Sequence, residues 1–265
     1  MGHWKLFVLG ARGSRPAHGA AYAEFGGATS CYVLKRGTHA VVIDCGTGLY
    51  NARPLLADCE QIDVLLTHVH YDHILGLLDA SVFPESAKIT VFGTFSQWGG
   101  NDTLRRFLSP PYWPYTPELR LVDVASPGGR FLEERMFVRF WPANHPNATS
   151  LLRIGTDDGA VCAAFDYEHG EPFPDDMAAG CVILLYDAAY DDAEYEAHRG
   201  WGHSTWQEGV ALAKRLGVGR LVLTHFSPDK TDKTLRRLER QAQAELSTAC
   251  FARSGDIYDL SEGGV

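Results

Sequence analysis

Residues 63–76 read Asp-Val-Leu-Leu-Thr-His-Val-His-Tyr-Asp-His-Ile-Leu-Gly. An apolar, β-rich run ends at Thr67. His68, His70, Asp72 and His73 follow within six residues, and the apolar stretch 74–78 comes next. That order predicts a buried strand, a sharp loop and the start of a helix. Three imidazoles and a carboxylate at the end of a buried strand add nothing to packing and cost free energy if left unpaired. They are donors that suit divalent zinc, manganese or iron. In an extended His-x-His, His68 and His70 reach one ion. Asp72 and His73, at the turn into the helix, point differently and suit a second.

The same grammar recurs. Apolar residues 40–43 end in Asp44, 136–141 lead to His145, and 160–165 end in Asp166. Residues 182–186 end in Asp187, and 220–224 end in His225. Further strands are expected at 4–9, 30–34, 88–92, 119–124 and 151–154. Ligands of layered α/β proteins gather at one sheet edge, supplied by strand ends and loops. Six such ends therefore predict one shared site. His68, His70 and His145 would make one metal position, Asp72, His73 and His225 the other, with Asp166 bridging. Asp44 is expected to stand behind a metal ligand as its hydrogen-bond acceptor. Two ions about 3.5–4 Å apart would hold a bridging hydroxide as nucleophile.

Composition narrows the partners. At 265 residues the chain suits one large domain or two small ones. One domain over 1–265 is expected. No apolar run approaches the ~18 residues of a membrane span, and residues 1–10 lack the form of a signal segment. A net charge of −9 argues against an extensive nucleic-acid surface. It leaves room for small anions, because bound metals reverse the local sign. Six cysteines without a C-x-x-C pair, mostly in apolar runs, suit reduced thiols in the cytoplasm.

Three segments remain. Residues 10–19 form a Gly- and Pro-containing loop that suits either an anion, assisted by Arg12, Ser14 and Arg15, or a solvated turn. Residues 94–117 carry Trp98, Phe107, Tyr112, Trp113 and Tyr115 among four prolines. That is too Pro-rich for a regular element, and it suits either a lid or a homodimer contact. Ser204 with Gln207 fits a capping box for a helix stopped by Gly217. His203 then precedes a helix N-terminus, where anions are favoured. A last outer helix is expected over about 232–246.

His68-Val-His70-Tyr-Asp72-His73, followed by His145, Asp166 and His225, resembles the H-x-H-x-D-H signature and ligand order of the metallo-β-lactamase fold superfamily. The resemblance spans nearly the whole chain. It implies an α/β fold, a four-layer αββα sandwich with a dinuclear site at one edge of the two sheets. Two divalent ions are implied, with zinc favoured and manganese or iron accepted by the same donors. Gly202-His203-Ser204-Thr205 before a helix, and Leu223-Thr224-His225-Phe226-Ser227-Pro228, resemble the ribonuclease Z-type phosphodiesterase branch. In that branch the matching histidine contacts the scissile phosphate and can protonate the leaving group, and an acidic residue at the end of the preceding strand, the position Asp187 holds here, orients it. Asp72, His203 and Asp187 are the implied catalytic residues. The chain departs from the branch at Tyr167, where a small hydroxyl residue is usual, and in lacking a long basic arm for tRNA. A small (cyclic) phosphodiester is therefore the expected substrate. A lactonase or other ester hydrolase, and RNA 3′-end processing, are the alternatives.

Overall fold

Strands buried on both faces need unbroken apolar sequence, whereas strands with one wet face alternate. Both kinds are present in each half of this chain. The computed structural model describes residues 2–133 and 136–263. Its strands are β1 Lys5–Gly10, β2 Cys31–Arg36, β3 His39–Ile43, β4 Gln61–Leu65, β5 Lys88–Gly93, β6 Arg120–Asp123 and β7 Gly128–Glu133. They continue as β8 Met136–Pro142, β9 Ser150–Thr156, β10 Gly159–Ala164, β11 Ile183–Asp187, β12 Arg220–Thr224, β13 Ala249–Phe251 and β14 Ile257–Asp259. The helices are α1 Arg53–Leu56, α2 Tyr71–Ile74, α3 Asn101–Phe107, α4 Asp192–Tyr195, α5 Trp206–Leu216 and α6 Asp232–Glu245.

Among the described residues the strands form two seven-stranded sheets, ordered β14-β1-β2-β3-β4-β5-β6 and β13-β12-β11-β10-β9-β8-β7. Both are mixed. From β3 to β6 and from β10 to β13 neighbouring strands run parallel, and these are the apolar runs such as 183–186 and 221–223, all buried. The alternation in β3 separates two cores. Val41 and Ile43 join residues of both sheets, including Val138, Leu152 and Leu184. Ala40 and Val42 pack instead with Leu49, Leu56 and Leu77 of the outer layer. Tyr32 of the first sheet stacks on Phe165 at 5.4 Å and shares a hydroxyl hydrogen bond with Thr224 of the second. The expected αββα layering is what the chain adopts.

Some local expectations need correction. The N-cap of α5 is Thr205, whose hydroxyl accepts the Glu208 N–H at 3.3 Å. Ser204 is drawn inward instead, bonded to His169 Nδ1 and the Tyr186 hydroxyl at 2.9 Å each. Gly217 does end the helix, at φ 63°. Segment 94–117 is not devoid of regular structure, because α3 forms before its prolines begin and buries Leu104. Strands β7, β13 and β14 went unforeseen; β13 and β14 are three residues each, too short for a period to show. No helix of the described residues is long and apolar enough to cross a membrane.

Among the described residues, four non-glycine residues have positive φ: Ser14 at 60°, Asp44 at 55°, Asp166 at 52° and His225 at 57°. Such a backbone costs about 1–2 kcal/mol per residue. Asp44 and His225 directly follow strands and Asp166 lies two residues past the end of β10, so the strain is concentrated where side chains are re-aimed.

Away from that edge, Glu239 docks α6 against the end of β13. It accepts two Arg253 bonds at 2.8 and 2.6 Å and the Phe251 N–H at 3.0 Å. Burial raises its carboxyl, but Arg253 and the Phe251 N–H outweigh that and hold it below the ordinary value. Its stabilisation is therefore present above the unfolded-state value and lost as pH falls through the lower folded value. Glu239→Gln is expected to cost about 1–3 kcal/mol at neutral pH. In denaturant titrations at successive pH values, the gap from wild type should close under acid conditions.

Candidate active site

Asp44 is placed by register. β3 and β4 are parallel with Ile43 opposite Leu65, so Asp44 lies beside the chain leaving β4. Fully buried, it accepts the Thr67 N–H and the Thr67 hydroxyl at 2.8 Å each, and His73 Nδ1 at 2.7 Å. That grip fixes the histidine loop and turns His73 Nε2 toward the centre. There it lies 3.2 Å from Asp72 Oδ2, 3.0 Å from Asp166 Oδ2 and 3.3 Å from His225 Nε2.

The other sheet supplies the rest. His145 comes from the β8–β9 connection, Asp166 follows β10, and His225 follows β12. Donor atoms of His68, His70, His145 and Asp166 lie within 4.8 Å of one another, as do those of Asp72, His73 and His225. These are the two groups expected from sequence. Asp166 faces both. Its Oδ1 is 3.8 Å from His68 Nε2 and 3.7 Å from His145 Nε2, while Oδ2 is 3.0 Å from His73 Nε2 and 3.1 Å from His225 Nε2. A third grouping, Asp166, His203 and His225, meets the same distance limit.

The electrostatics of this cluster are polarised. Burial, with His73 beside it, holds His68 well below its ordinary value. Burial alone would lower His73 too, but Asp72, Asp166 and Asp44 hold it well above. Against the upward push of burial, neighbouring histidines hold Asp72 and Asp166 well below the carboxylate range. The cluster thus offers ionised carboxylates and a neutral His68. His68 Nε2 is buried without a hydrogen-bond partner, which a divalent cation would satisfy and a packed core would not tolerate. The donor set fits zinc, manganese or iron.

Asp187 is the second organiser. Fully buried, it accepts His203 Nδ1 at 3.0 Å and the Asp166 N–H at 3.0 Å through Oδ2, and the Ser204 and Ala189 N–H groups through Oδ1. Burial lowers His203, but Asp187 more than offsets it, and the imidazole is pushed up to about 9.

A cavity of about 670 Å³ opens over the cluster, lined by His68, His70, Asp72, His145, Asp166 and His203. Trp98 and Phe107 from segment 94–117 form part of its wall, and Trp98 Nε1 donates to the Ala148 carbonyl at 2.8 Å. Tyr112 is exposed, and Tyr115 donates instead to the Leu78 carbonyl at 3.1 Å. The loop 10–19 serves the chain's own acid: the Ser14 N–H donates to Asp72 Oδ2 at 2.6 Å. A Cβ at Gly13 would stand 2.5 Å from the His225 ring, so glycine is required there. Arg12 is fully buried on the Gly26 and Lys230 carbonyls, and Arg15 pairs with Asp229. His18 is exposed.

Several cavity residues went unweighed from sequence, among them Tyr71, Asn147 and Trp201. Asn147 Nδ2 donates to His70 Nε2 at 2.6 Å. The one available signal was Trp201, set between two glycines immediately before His203.

Asp44→Asn would turn an amide N–H₂ toward a group that already donates. It is expected to weaken metal binding by about 10–100-fold, read by competition with a chromogenic chelator, with the sheet content of the circular-dichroism spectrum retained.

A profile of the beta-lactamase superfamily domain matches residues 39–226. Ribonuclease Z of Mycobacterium sp. (strain KMS) is 28% identical, over 74% of this chain and 77% of that one. The crystal structure of the metallo-beta-lactamase fold protein YhfI from Bacillus subtilis superposes with a TM-score of 0.75 at 20% identity, covering 98% of this chain and 100% of that one. A diphosphatase from the PhnP family superposes at 0.67 with 19% identity, covering 97% and 96%. With more than half its length matched and its acids and histidines gathered at one edge of two sheets, the chain belongs to the beta-lactamase superfamily and is a metal-dependent hydrolase with the metallo-β-lactamase fold.

Proposed function

We propose that the chain hydrolyses a small phosphodiester, with a cyclic one as the leading candidate. The observation that carries this is the His203–Asp187 pair, held at 3.0 Å and opening on the same cavity as the two ligand groups. His68, His70 and His145 would hold one divalent ion and Asp72, His73 and His225 the other, with Asp166 shared between them. Zinc is the favoured metal. When bound, such ions supply Lewis acidity and a water acidic enough to attack at neutral pH.

The protein's own groups do the rest. Asp187 accepts a hydrogen bond from His203 Nδ1–H, which leaves Nε2 to face the phosphate. His203, whose protonated form Asp187 favours, can hold a phosphoryl oxygen and pass its proton to the departing oxygen. The name of one relative, a ribonuclease Z, points to phosphodiester cleavage as well.

RNA 3′-end processing is the second reading, favoured by the ribonuclease Z match. Against it stand the net charge of −9 and the engagement of Arg12 and Arg15 within the chain. A backbone-binding surface needs free cations.

Metal-loaded protein is expected to turn over bis(p-nitrophenyl) phosphate and 2′,3′-cyclic nucleotides. His203→Ala should lower kcat on the cyclic nucleotide by about 10²–10⁴. The loss should be smaller on the nitrophenyl ester, whose leaving group needs no proton. Efficient turnover of a lactone with no turnover of either phosphodiester would overturn the reading, and selective cleavage of a precursor tRNA would favour the second.

A further inference from the structure

Glu168 lies two residues beyond Asp166 and is 7% exposed. Nothing in the chemistry above uses it. Its carboxylate accepts the Gly200 N–H at 2.6 Å, the Gly202 N–H at 2.9 Å and the Tyr195 hydroxyl at 3.0 Å. Its backbone is held as firmly. The Glu168 N–H donates to the Asn144 carbonyl at 2.8 Å, and the Glu168 carbonyl accepts Asn144 Nδ2 at 2.8 Å. One buried acid therefore ties together the loop bearing His145, the strand end bearing Asp166 and the turn before His203.

The turn is built for this. Gly200 and Gly202 have φ of +85° and +86°, a region that other residues enter only with strain. Their N–H groups converge on a single carboxylate, the arrangement of a backbone nest for an anion. Here the anion is the chain's own. A Cβ at Gly202 would stand 2.1 Å from the His145 ring, so the turn lies flat against that loop.

Trp201, between the glycines, is 60% exposed and lines the cavity. Its ring meets His198 at 5.0 Å, His198 stacks on Tyr190 at 4.1 Å, and Tyr190 stands edge-on to His203 at 6.1 Å. A large ring left half in water gains nothing for folding. At the rim of a cavity it can cover a flat, apolar part of a ligand.

We propose that Glu168 is a positioning residue: its carboxylate holds the Gly-Trp-Gly turn at 200–202 against the His145 loop, so that Trp201 covers a planar substituent of the substrate and His203 keeps its place over the cavity. The part concerning substrate rests on the phosphodiesterase reading. The part concerning the turn does not.

The test compares wild type, Glu168→Gln, Glu168→Ala and Trp201→Ala as metal-loaded full chains. Amide hydrogen exchange is followed over residues 198–204, and steady-state kinetics use bis(p-nitrophenyl) phosphate, an aryl diester. Glu168→Gln keeps the size but sets an N–H₂ against one of three donors. Both Glu168 variants are expected to speed exchange in the turn by about tenfold or more. They should also raise KM by about five- to tenfold, with a smaller fall in kcat and unchanged metal per chain. Trp201→Ala should reproduce the rise in KM without the fall in kcat. A lower melting temperature with wild-type exchange, KM and kcat would show a merely structural role and overturn the proposal. Loss of metal would overturn it too, by placing the effect at Asp166. Should Glu168→Ala fail to fold, the isosteric Gln variant decides. Should wild type turn over no phosphodiester, the exchange measurement decides alone, and unchanged exchange overturns the proposal.

Discussion

Asp166 is where the two sheets are made to agree. One of its oxygens faces His68 and His145, the other faces His73 and His225, and its N–H is held by Asp187. Two of these histidines come from the first sheet and two from the second. A carboxylate so placed is tolerable only if the imidazoles around it are fixed, because a buried charge without compensation costs several kcal/mol. The supports follow from that need. Asp44 fixes His73 from behind, Ser14 fixes Asp72 from the side, and the left-handed turn at Asp166 aims its oxygens inward.

Much of this was legible in the sequence because parallel strands buried on both faces leave a simple trace. An apolar run broken by one Asp or His marks both the strand and the edge where it ends. Asp44, His145, Asp166, Asp187 and His225 were found in that way, and register brought them together. The four-layer arrangement followed from the family likeness.

What stayed hidden depends on contacts between distant residues. Ser204 and Thr205 are both competent caps by spacing, and Tyr186 with His169 decides between them by recruiting Ser204. Glu168 looks like an ordinary polar residue, because its partners are backbone N–H groups more than thirty positions away, which carry no sequence label. Helix α3 was obscured by the prolines that follow it. The loop 10–19 read as a possible anion site, and its N–H does meet an anion, but that anion is Asp72.

The central claim is that two divalent ions complete this cluster, one in each ligand group. Anomalous diffraction from crystals of zinc- or manganese-loaded protein tests it most directly. The account expects two metal peaks, one bound by His68, His70 and His145, the other by Asp72, His73 and His225, with Asp166 reaching both. No peak at the cluster, or a single ion that leaves one of these groups still hydrogen bonded to itself, would contradict it.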